Sequence, residues 1–180
     1  MPSIVAIPKS LAPPKKKATT STAPSSSSSR VLAFKNHNHL RHRLILALLS
    51  RRPVRIDQIR PNASSPGLKP YEISFLRLLE KITEGTRLEI SYTGTSLLFH
   101  PGILAGGTFT HVCEMGRSVG WYLEPLLAIA PFGKKDFSLT LKGITTDGRD
   151  VSVDTLRTSG LPHLAMFLDK EGLELKVGSQ

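Results

Sequence analysis

Apolar residues in residues 31–102 recur with two different periods. After the short apolar run VLAF, Asn38 is expected to cap a helix marked by Leu40, Leu44, Ile45 and Leu48. The segment PVRIDQIR has the composition of a strand, and the loop PNASSPGLKP follows it. A second helix is then marked by Ile73, Leu76, Leu79 and Ile82. Because RLEISYTGTSLLFHPG is typical of a hairpin that turns at TGT, the pattern predicts the order strand, helix, strand, helix, strand, strand.

The same order of elements begins again in residues 103–180. A strand in ILAGGTFTHV precedes a helix in GRSVGWYLEPLLAIA, and a strand in FSLTLKGI precedes a helix in VSVDTLRTSGLPHLAMFLDK and a strand in LELKV. The pattern predicts an internal repeat of about 75 residues. No segment matching SLLFHP follows LELKV, so we expect the second unit to lack its final strand. Part of the helix face formed by Leu123, Leu126, Leu127 and Ile129 is then expected to be uncovered. The aromatic residues Trp121, Tyr122, Phe132 and Phe137 are expected in the core.

The first 30 residues differ in composition from the rest of the chain. They contain APPKKKATTSTAPSSSSS, which has few apolar residues to bury, and we predict that residues 1–30 are a disordered basic tail. PPKKK also resembles a nuclear localisation patch, and a Ser-rich start without acids is also compatible with an organelle transit peptide.

The net charge of +10 is concentrated near the start of the chain. Residues 1–56 contain eleven Lys and Arg and no acid, whereas residues 57–180 contain thirteen basic and fourteen acidic residues. This asymmetry favours a polyanionic partner, either RNA or an acidic protein surface. No apolar stretch approaches the roughly 18 residues of a membrane span, so no membrane partner is expected.

Three histidines, His37, His39 and His42, lie close together among basic residues. A zinc site usually needs four ligands, often from cysteine pairs, and the chain has the single cysteine Cys113. No carboxylate precedes Asp57 to orient an imidazole for catalysis. We therefore predict no metal, no cofactor and no catalytic residue, and we interpret the cluster as the polar start of a helix.

Basic residues around the first helix and strand are the candidate binding site. They are Arg41, Arg43, Arg52, Arg55, Arg60 and Lys69, and the arginine side chains suit phosphate groups. We predict one patch that contacts RNA or a protein partner; the alternative is scattered surface charge.

Four strings resemble the RNA 3′-terminal phosphate cyclase family, and most closely its non-cyclase branch in eukaryotic ribosome biogenesis. They are LRHRLILALLSRRPVRIDQIR, PGLKPYEISFLRLLEKITEGTRLEISYTGTSLLFHPG, GWYLEPLLAIAPF and LKGITTDGRDVSVDTLRTSGLP. The resemblance extends from about Phe34 to Val177. It implies an α+β fold of repeated β-α-β-α-β-β units, with one full unit in residues 31–102 and an incomplete second unit in residues 103–180.

Departures from the cyclase pattern imply a role other than catalysis. Where cyclases have a Glu and a Gly-Gly-Gly-Gln stretch this chain has KNHNH, a cyclase arginine is Ala63, and a cyclase glutamine is Tyr71. The cyclase nucleophilic histidine lies beyond the residues of this chain, whereas Arg41 matches a family arginine near the phosphate pocket.

The resemblance therefore implies a non-catalytic scaffold in nucleolar pre-rRNA processing and small ribosomal subunit biogenesis. The implied partners are a ribosome-biogenesis GTPase and a snoRNA-containing pre-ribosomal particle with its pre-rRNA. The implied location is the nucleus and nucleolus. The alternatives are an ATP-dependent RNA 3′-terminal phosphate cyclase and another RNA-processing enzyme.

Overall fold

The computed structural model describes residues 3–7, 30–133, 135, 137–167 and 174–178. Strands and helices alternate in the order that the sequence predicts, and the α+β class is confirmed. In chain order the elements are β1 Ser3–Ile7, β2 Leu32–Lys35, α1 Leu40–Ser50, β3 Val54–Asp57, α2 Pro70–Ile82, β4 Thr83–Glu84, β5 Arg87–Ile90, β6 Leu97–His100, β7 Ile103–Leu104, β8 Gly107–Val112, α3 Val119–Ile129, β9 Phe137–Lys142, α4 Val153–Thr155, α5 Leu161–Phe167 and β10 Glu174–Gly178.

The first repeat forms a four-stranded sheet with the strand order β2-β3-β6-β5. β2 and β3 are parallel and are joined through α1, which is the crossover that a parallel pair requires. β6 is antiparallel to both of its neighbours, β3 and β5. The TGT hairpin predicted from the sequence is therefore present between β5 and β6.

The second sheet repeats this arrangement with one strand taken from the start of the chain. Its order is β10-β1-β9-β8, with β8 and β9 parallel and β1 antiparallel to both β9 and β10. The position that we expected to be empty is therefore filled by Ser3–Ile7. The sequence predicts a disordered tail that includes these five residues, whereas here their backbone pairs as a strand. Residues 1–2 and 8–29 lie outside the described residues.

Both repeats share one hydrophobic core, in which α1 and α3 contact each other. α1 buries Leu40, Leu44, Ile45, Ala47 and Leu48, as its helical period predicts. The helix residues that we expected to be partly uncovered, Leu123, Leu126, Leu127 and Ile129, are buried instead. The expectation was wrong because α3 lies inside the core and is apolar on nearly every side.

The backbone of α3 also approaches a neighbouring loop. A Cβ atom on Gly120 would lie 1.8 Å from the carbonyl oxygen of Val151. Only glycine fits at this point, since any side chain would force the loop away from the helix.

Three local predictions are corrected. Asn38 does not cap α1; the N-cap is His39, in the left-handed region at φ 55°, without a side-chain cap. Phe132 is 65% exposed, because the tight turn Ala130–Phe132 ends the helical period that placed it in the core. The last helix contains a π-helical turn over Leu156–Gly160 between α4 and α5.

None of the described helices has the length and apolar composition needed to cross a lipid bilayer.

Candidate functional site

A polar cleft of about 400 Å³ opens where the first turns of α1 and α2 approach α3. We call it the cleft, and its lining combines cationic, aromatic and amide side chains with one carboxylate. The lining residues are His37, Asn38, His39, Arg41, His42, Arg60, Tyr71, Glu72, Arg117 and Trp121. The three histidines predicted to begin the first helix are thus on one side of the cleft.

The rim of the cleft before α1 has an unusual backbone. Asn36 and His39 have φ of 61° and 55°, in the region that glycine adopts most readily. The side chain of Asn36 accepts a hydrogen bond of 3.0 Å from the backbone N–H of Asn38. The rings of His39 and His42 meet edge to face with centroids 5.9 Å apart. The KNHNH segment therefore follows a glycine-like path while it carries polar side chains.

Arg60 and Glu72, both in the lining of the cleft, form a bidentate salt bridge. The two guanidinium nitrogens Nη1 and Nη2 each donate to a Glu72 oxygen at 2.7 Å, and the side chains are 14% and 5% exposed. The backbone N–H of Lys69 donates to the same carboxylate at 2.8 Å. The hydrogen bond to Glu72 raises the pKa of Arg60. Glu72 therefore fixes Arg60 and caps the start of α2 at once.

Arg41 connects the two repeats across the cleft. Its guanidinium group lies over the Trp121 ring, 4.5 Å from the centroid, and donates to the Trp121 carbonyl oxygen and to Glu124 Oε2 at 3.1 Å. Burial lowers the pKa of Arg41, and the Glu124 carboxylate opposes that effect. The side chain is 18% exposed, so most of its donors are directed into the protein.

Arg117 is paired in the same manner. Its Nη1 donates to Asp150 Oδ1 at 2.8 Å, and the Asp150 side chain is 4% exposed. Asp150 also accepts from the backbone N–H of Ser118 at 3.1 Å, just before α3 begins. The Arg117 guanidinium carbon lies 5.2 Å from the centroid of the Tyr71 ring.

The electrostatics of the cleft follow from these three pairs. Arg41, Arg60 and Arg117 each have a carboxylate partner within the protein, so their charges are largely compensated. An incoming phosphate would compete with these carboxylates for the same donors. The cleft therefore concentrates less positive charge than its three arginines suggest, and one of the three pairs, Arg41–Glu124, joins the two repeats.

The structure divides the predicted basic patch. Arg41 and Arg60 line the cleft, while the other four residues lie outside it. Arg43 donates to the carbonyl oxygens of Lys35 and Asn36 at 3.2 and 2.9 Å. Arg55 pairs with Asp57 at 2.9 Å, Lys69 Nζ donates to the Ser65 carbonyl oxygen at 3.3 Å, and Arg52 is exposed.

Comparison with known proteins assigns most of the chain to a family. Residues 32–180 match the family described as RNA 3′-terminal phosphate cyclase. The chain belongs to the RNA 3′-terminal phosphate cyclase family. The resemblance inferred from the sequence is thereby confirmed.

Several relatives of this cyclase-family chain have names that describe a role. It is 48% identical over 147 residues to the human RNA 3′-terminal phosphate cyclase-like protein, covering 81% of this chain and 39% of that protein. It is 48% identical over 145 residues to the rRNA processing protein rcl1 of Schizosaccharomyces pombe, covering 80% and 40%. The rRNA processing protein RCL1 of Saccharomyces cerevisiae is 44% identical over 134 residues, covering 74% and 36%. The chain thus spans about two fifths of the length of these relatives.

The sequence analysis did not identify the three carboxylates that pair with the cleft arginines, which are Glu72, Glu124 and Asp150. Glu72 had a visible signal, since it lies three residues after Lys69 at the start of a helix, as in a capping box. Glu124 and Asp150 had none, because their partners Arg41 and Arg117 are distant in the sequence.

Cys113 and His111 are not among the residues that line the cleft. In the described part of the chain, no group of three or more His, Cys, Asp or Glu side chains is arranged to hold a metal ion. Cys113 is buried, and burial raises the pKa of its thiol to about 12. His111 Nε2 forms a hydrogen bond of 2.9 Å with the hydroxyl group of Ser74. We infer that Cys113 is a structural residue.

Proposed function

We propose that this protein is a non-catalytic member of the cyclase family that acts in pre-rRNA processing and small ribosomal subunit biogenesis. The observation that supports the proposal is its 48% and 44% identity to two proteins named for rRNA processing. In this proposal it is a scaffold for a ribosome-biogenesis GTPase within a snoRNA-containing pre-ribosomal particle. Its location is then the nucleus and nucleolus.

The described part of the cleft offers no free carboxylate for acid or base catalysis. Glu72 is the one carboxylate among the described lining residues, and both of its oxygens are occupied by Arg60 while one also accepts from Lys69. A general base needs an oxygen or nitrogen that is free to take a proton. Glu72 does not meet this requirement, and the cleft arginines are bound to carboxylates. The imidazoles of His37, His39 and His42 are the remaining candidate bases among the described lining residues.

The first experiment tests the absence of catalysis. Purified protein is incubated with radiolabelled ATP and magnesium, next to an active RNA 3′-terminal phosphate cyclase, and covalent AMP is measured on a denaturing gel. We expect a labelled band for the active cyclase alone. A band of comparable intensity for this protein would support the alternative, an ATP-dependent cyclase. The matching family is described as RNA 3′-terminal phosphate cyclase.

The second experiment tests the role in ribosome biogenesis. The tagged full chain is expressed in Saccharomyces cerevisiae, and RNA and proteins that copurify with it are identified by sequencing and mass spectrometry. We expect enrichment of pre-rRNA, a snoRNA and a GTPase over a tagged unrelated basic protein. A fluorescent fusion should concentrate in the nucleolus. Equal recovery of these RNAs with both proteins would contradict the proposal.

A further inference from the structure

The loop between β3 and α2 presents a run of consecutive exposed residues. The run covers residues 61–66, with the sequence PNASSP. At the base of the loop the backbone N–H of Gly67 donates to the Ile59 carbonyl oxygen at 3.1 Å, and Arg60 Nη1 donates to the Gly67 carbonyl oxygen at 3.2 Å. The exposed tip therefore projects from a base that hydrogen bonds hold closed.

Gly67 also packs the base of the loop against the hairpin of the first sheet. Its φ is 83°, and a Cβ atom there would lie 2.5 Å from the carbonyl oxygen of Thr93. The next backbone N–H, that of Leu68, donates to the Gly94 carbonyl oxygen at 3.1 Å. Only glycine fits so close to a carbonyl oxygen with this backbone conformation. The fold thus fixes where the exposed tip lies relative to the sheet.

Ser65 is the hydroxyl group in this tip that is followed by proline. Ser65 and Pro66 are both exposed, and they form the one Ser-Pro pair in the 180 residues, which contain no Thr-Pro pair. Protein kinases that accept proline directly after the phosphoacceptor form a distinct class, because proline has no backbone N–H to donate to the enzyme. Ser64 is exposed as well, but it precedes Ser65 and not a proline.

A cation lies beside Ser65 at a position where it can pair with a phosphate. Lys69 Nζ donates to the Ser65 carbonyl oxygen at 3.3 Å. The nearest acid along the chain, Glu72, is 5% exposed and accepts from two nitrogens of Arg60, so its charge is compensated. A phosphoserine carries about −1.5 to −2 charges at neutral pH and three acceptor oxygens. A phosphate on Ser65 therefore gains an ammonium partner and meets little opposing charge.

We propose that Ser65 is a phosphorylation site for a proline-directed protein kinase, and that Lys69 pairs with the resulting phosphate. In the transfer Ser65 Oγ bonds to the γ-phosphorus of ATP, the bond from that phosphorus to the bridging oxygen of the β-phosphate breaks, and ADP leaves while the hydroxyl proton is released. The modification changes the local charge from positive to negative. It also withdraws Lys69, one of the predicted binding residues, from contact with an external polyanion.

The first test incubates the purified full chain with a cyclin-dependent kinase and ATP, and locates the phosphoryl group by mass spectrometry. We expect one phosphoryl group per chain, on Ser65. Ser65→Ala should abolish the incorporation and Ser64→Ala should retain it. Pro66→Ala should lower the rate by roughly tenfold or more, because the apolar pocket of the enzyme loses its contact with the proline ring. Incorporation on Ser64, or equal rates for wild type and Pro66→Ala, would overturn the proposal.

A peptide of residues 58–72 tests whether the folded loop presents the serine to the kinase. The peptide has the same residues without the fold. Because residues 61–66 are already exposed, kcat/KM for the full chain should lie within about tenfold of the value for the peptide. A larger deficit would show that the fold conceals Ser65 and would overturn the proposal.

A ³¹P NMR titration of the phosphorylated chain tests the role of Lys69. A neighbouring cation favours the doubly charged phosphate, so Lys69→Gln should move the midpoint of the titration about half a pH unit higher than in the wild type. The control Lys81→Gln removes a lysine from the last turn of α2 and should leave the midpoint unchanged. The same midpoint for wild type and Lys69→Gln would overturn the pairing with Lys69.

Discussion

The guanidinium group of Arg41 stacks over the Trp121 ring and so joins the first helix of one repeat to the first helix of the other. The same side chain donates to Glu124 Oε2 at 3.1 Å. A planar guanidinium can stack and donate in two directions together, which a lysine cannot do. The contact is therefore specific to arginine.

Arg41→Lys is expected to lower the free energy of unfolding by about 1–2 kcal/mol, because it removes the stacking and most of the hydrogen bonding. Urea denaturation followed by tryptophan fluorescence measures the change. The matched control is Arg77→Lys, whose exposed pair with Glu80 should contribute less than about 0.5 kcal/mol. Equal effects of the two substitutions would show that Arg41 does not join the repeats.

The Arg60–Glu72 pair predicts that substitutions at the two positions have strongly non-additive effects on the free energy of unfolding. Removing one partner leaves a buried charge without its counter-ion, so Arg60→Gln or Glu72→Gln should each cost about 3 kcal/mol. The double substitution should cost clearly less than the sum, since neither charge is then left alone. Thermal and urea unfolding of the wild type, the two single variants and the double variant complete the double-mutant cycle. Additive effects would mean that the pair does not act as a unit, and Glu80→Gln on the same helix provides the exposed reference.

His111 predicts a dependence of stability on mildly acidic pH. Burial, and next the charge of Lys81, lower the pKa of His111 below its ordinary value of 6.5. As pH falls through 6.5 the unfolded chain takes up the proton first, so the stability contribution of His111 falls until the folded pKa is passed. The difference in unfolding free energy between wild type and His111→Gln should change across this interval and be constant above it.

The divided basic patch predicts that two arginines will respond differently. Arg52 is exposed, so Arg52→Gln should weaken RNA binding and reduce the salt dependence by about one charge, with an unchanged melting temperature. Arg60→Gln should instead lower the melting temperature, because Arg60 is held by Glu72. Filter binding to a pre-rRNA fragment at several salt concentrations, with melting curves of the same samples, separates the two effects. Loss of RNA binding by Arg60→Gln alone would place the contact in the cleft.

Local patterns predicted the elements, because the periods of Leu44 and Leu48 in α1 and of Leu76 and Leu79 in α2 depend on neighbours within the same helix. The hairpin followed for the same reason. The position of Ser3–Ile7 could not be predicted, since its pairing partners lie more than 130 residues away in the chain. The strand-forming composition of SIVAI was visible, but nothing local specifies a partner.

Two of the three arginines that line the cleft were among the predicted binding residues, whereas Arg117 and the carboxylate partners were not. Arg41 and Arg60 were noticed because phosphate recognition draws attention to arginine, and both do line the cleft. Their carboxylate partners lie 83 and 12 residues away, at positions that only the folded chain brings together. Each arginine thus has a carboxylate partner with which an RNA phosphate would have to compete.

The left-handed backbone at Asn36 and His39 determines which residues the rim of the cleft before α1 can accept. A side chain in this conformation costs roughly 1–2 kcal/mol, somewhat less for asparagine, and glycine avoids that cost. The backbone path before α1 is therefore already one that glycine would follow without rearrangement. Glycine at positions 36 and 39 would relieve this conformational cost, while His37 and Asn38 would keep their side chains on the rim. A glycine-rich rim therefore requires side-chain replacements on the existing backbone path rather than a new architecture.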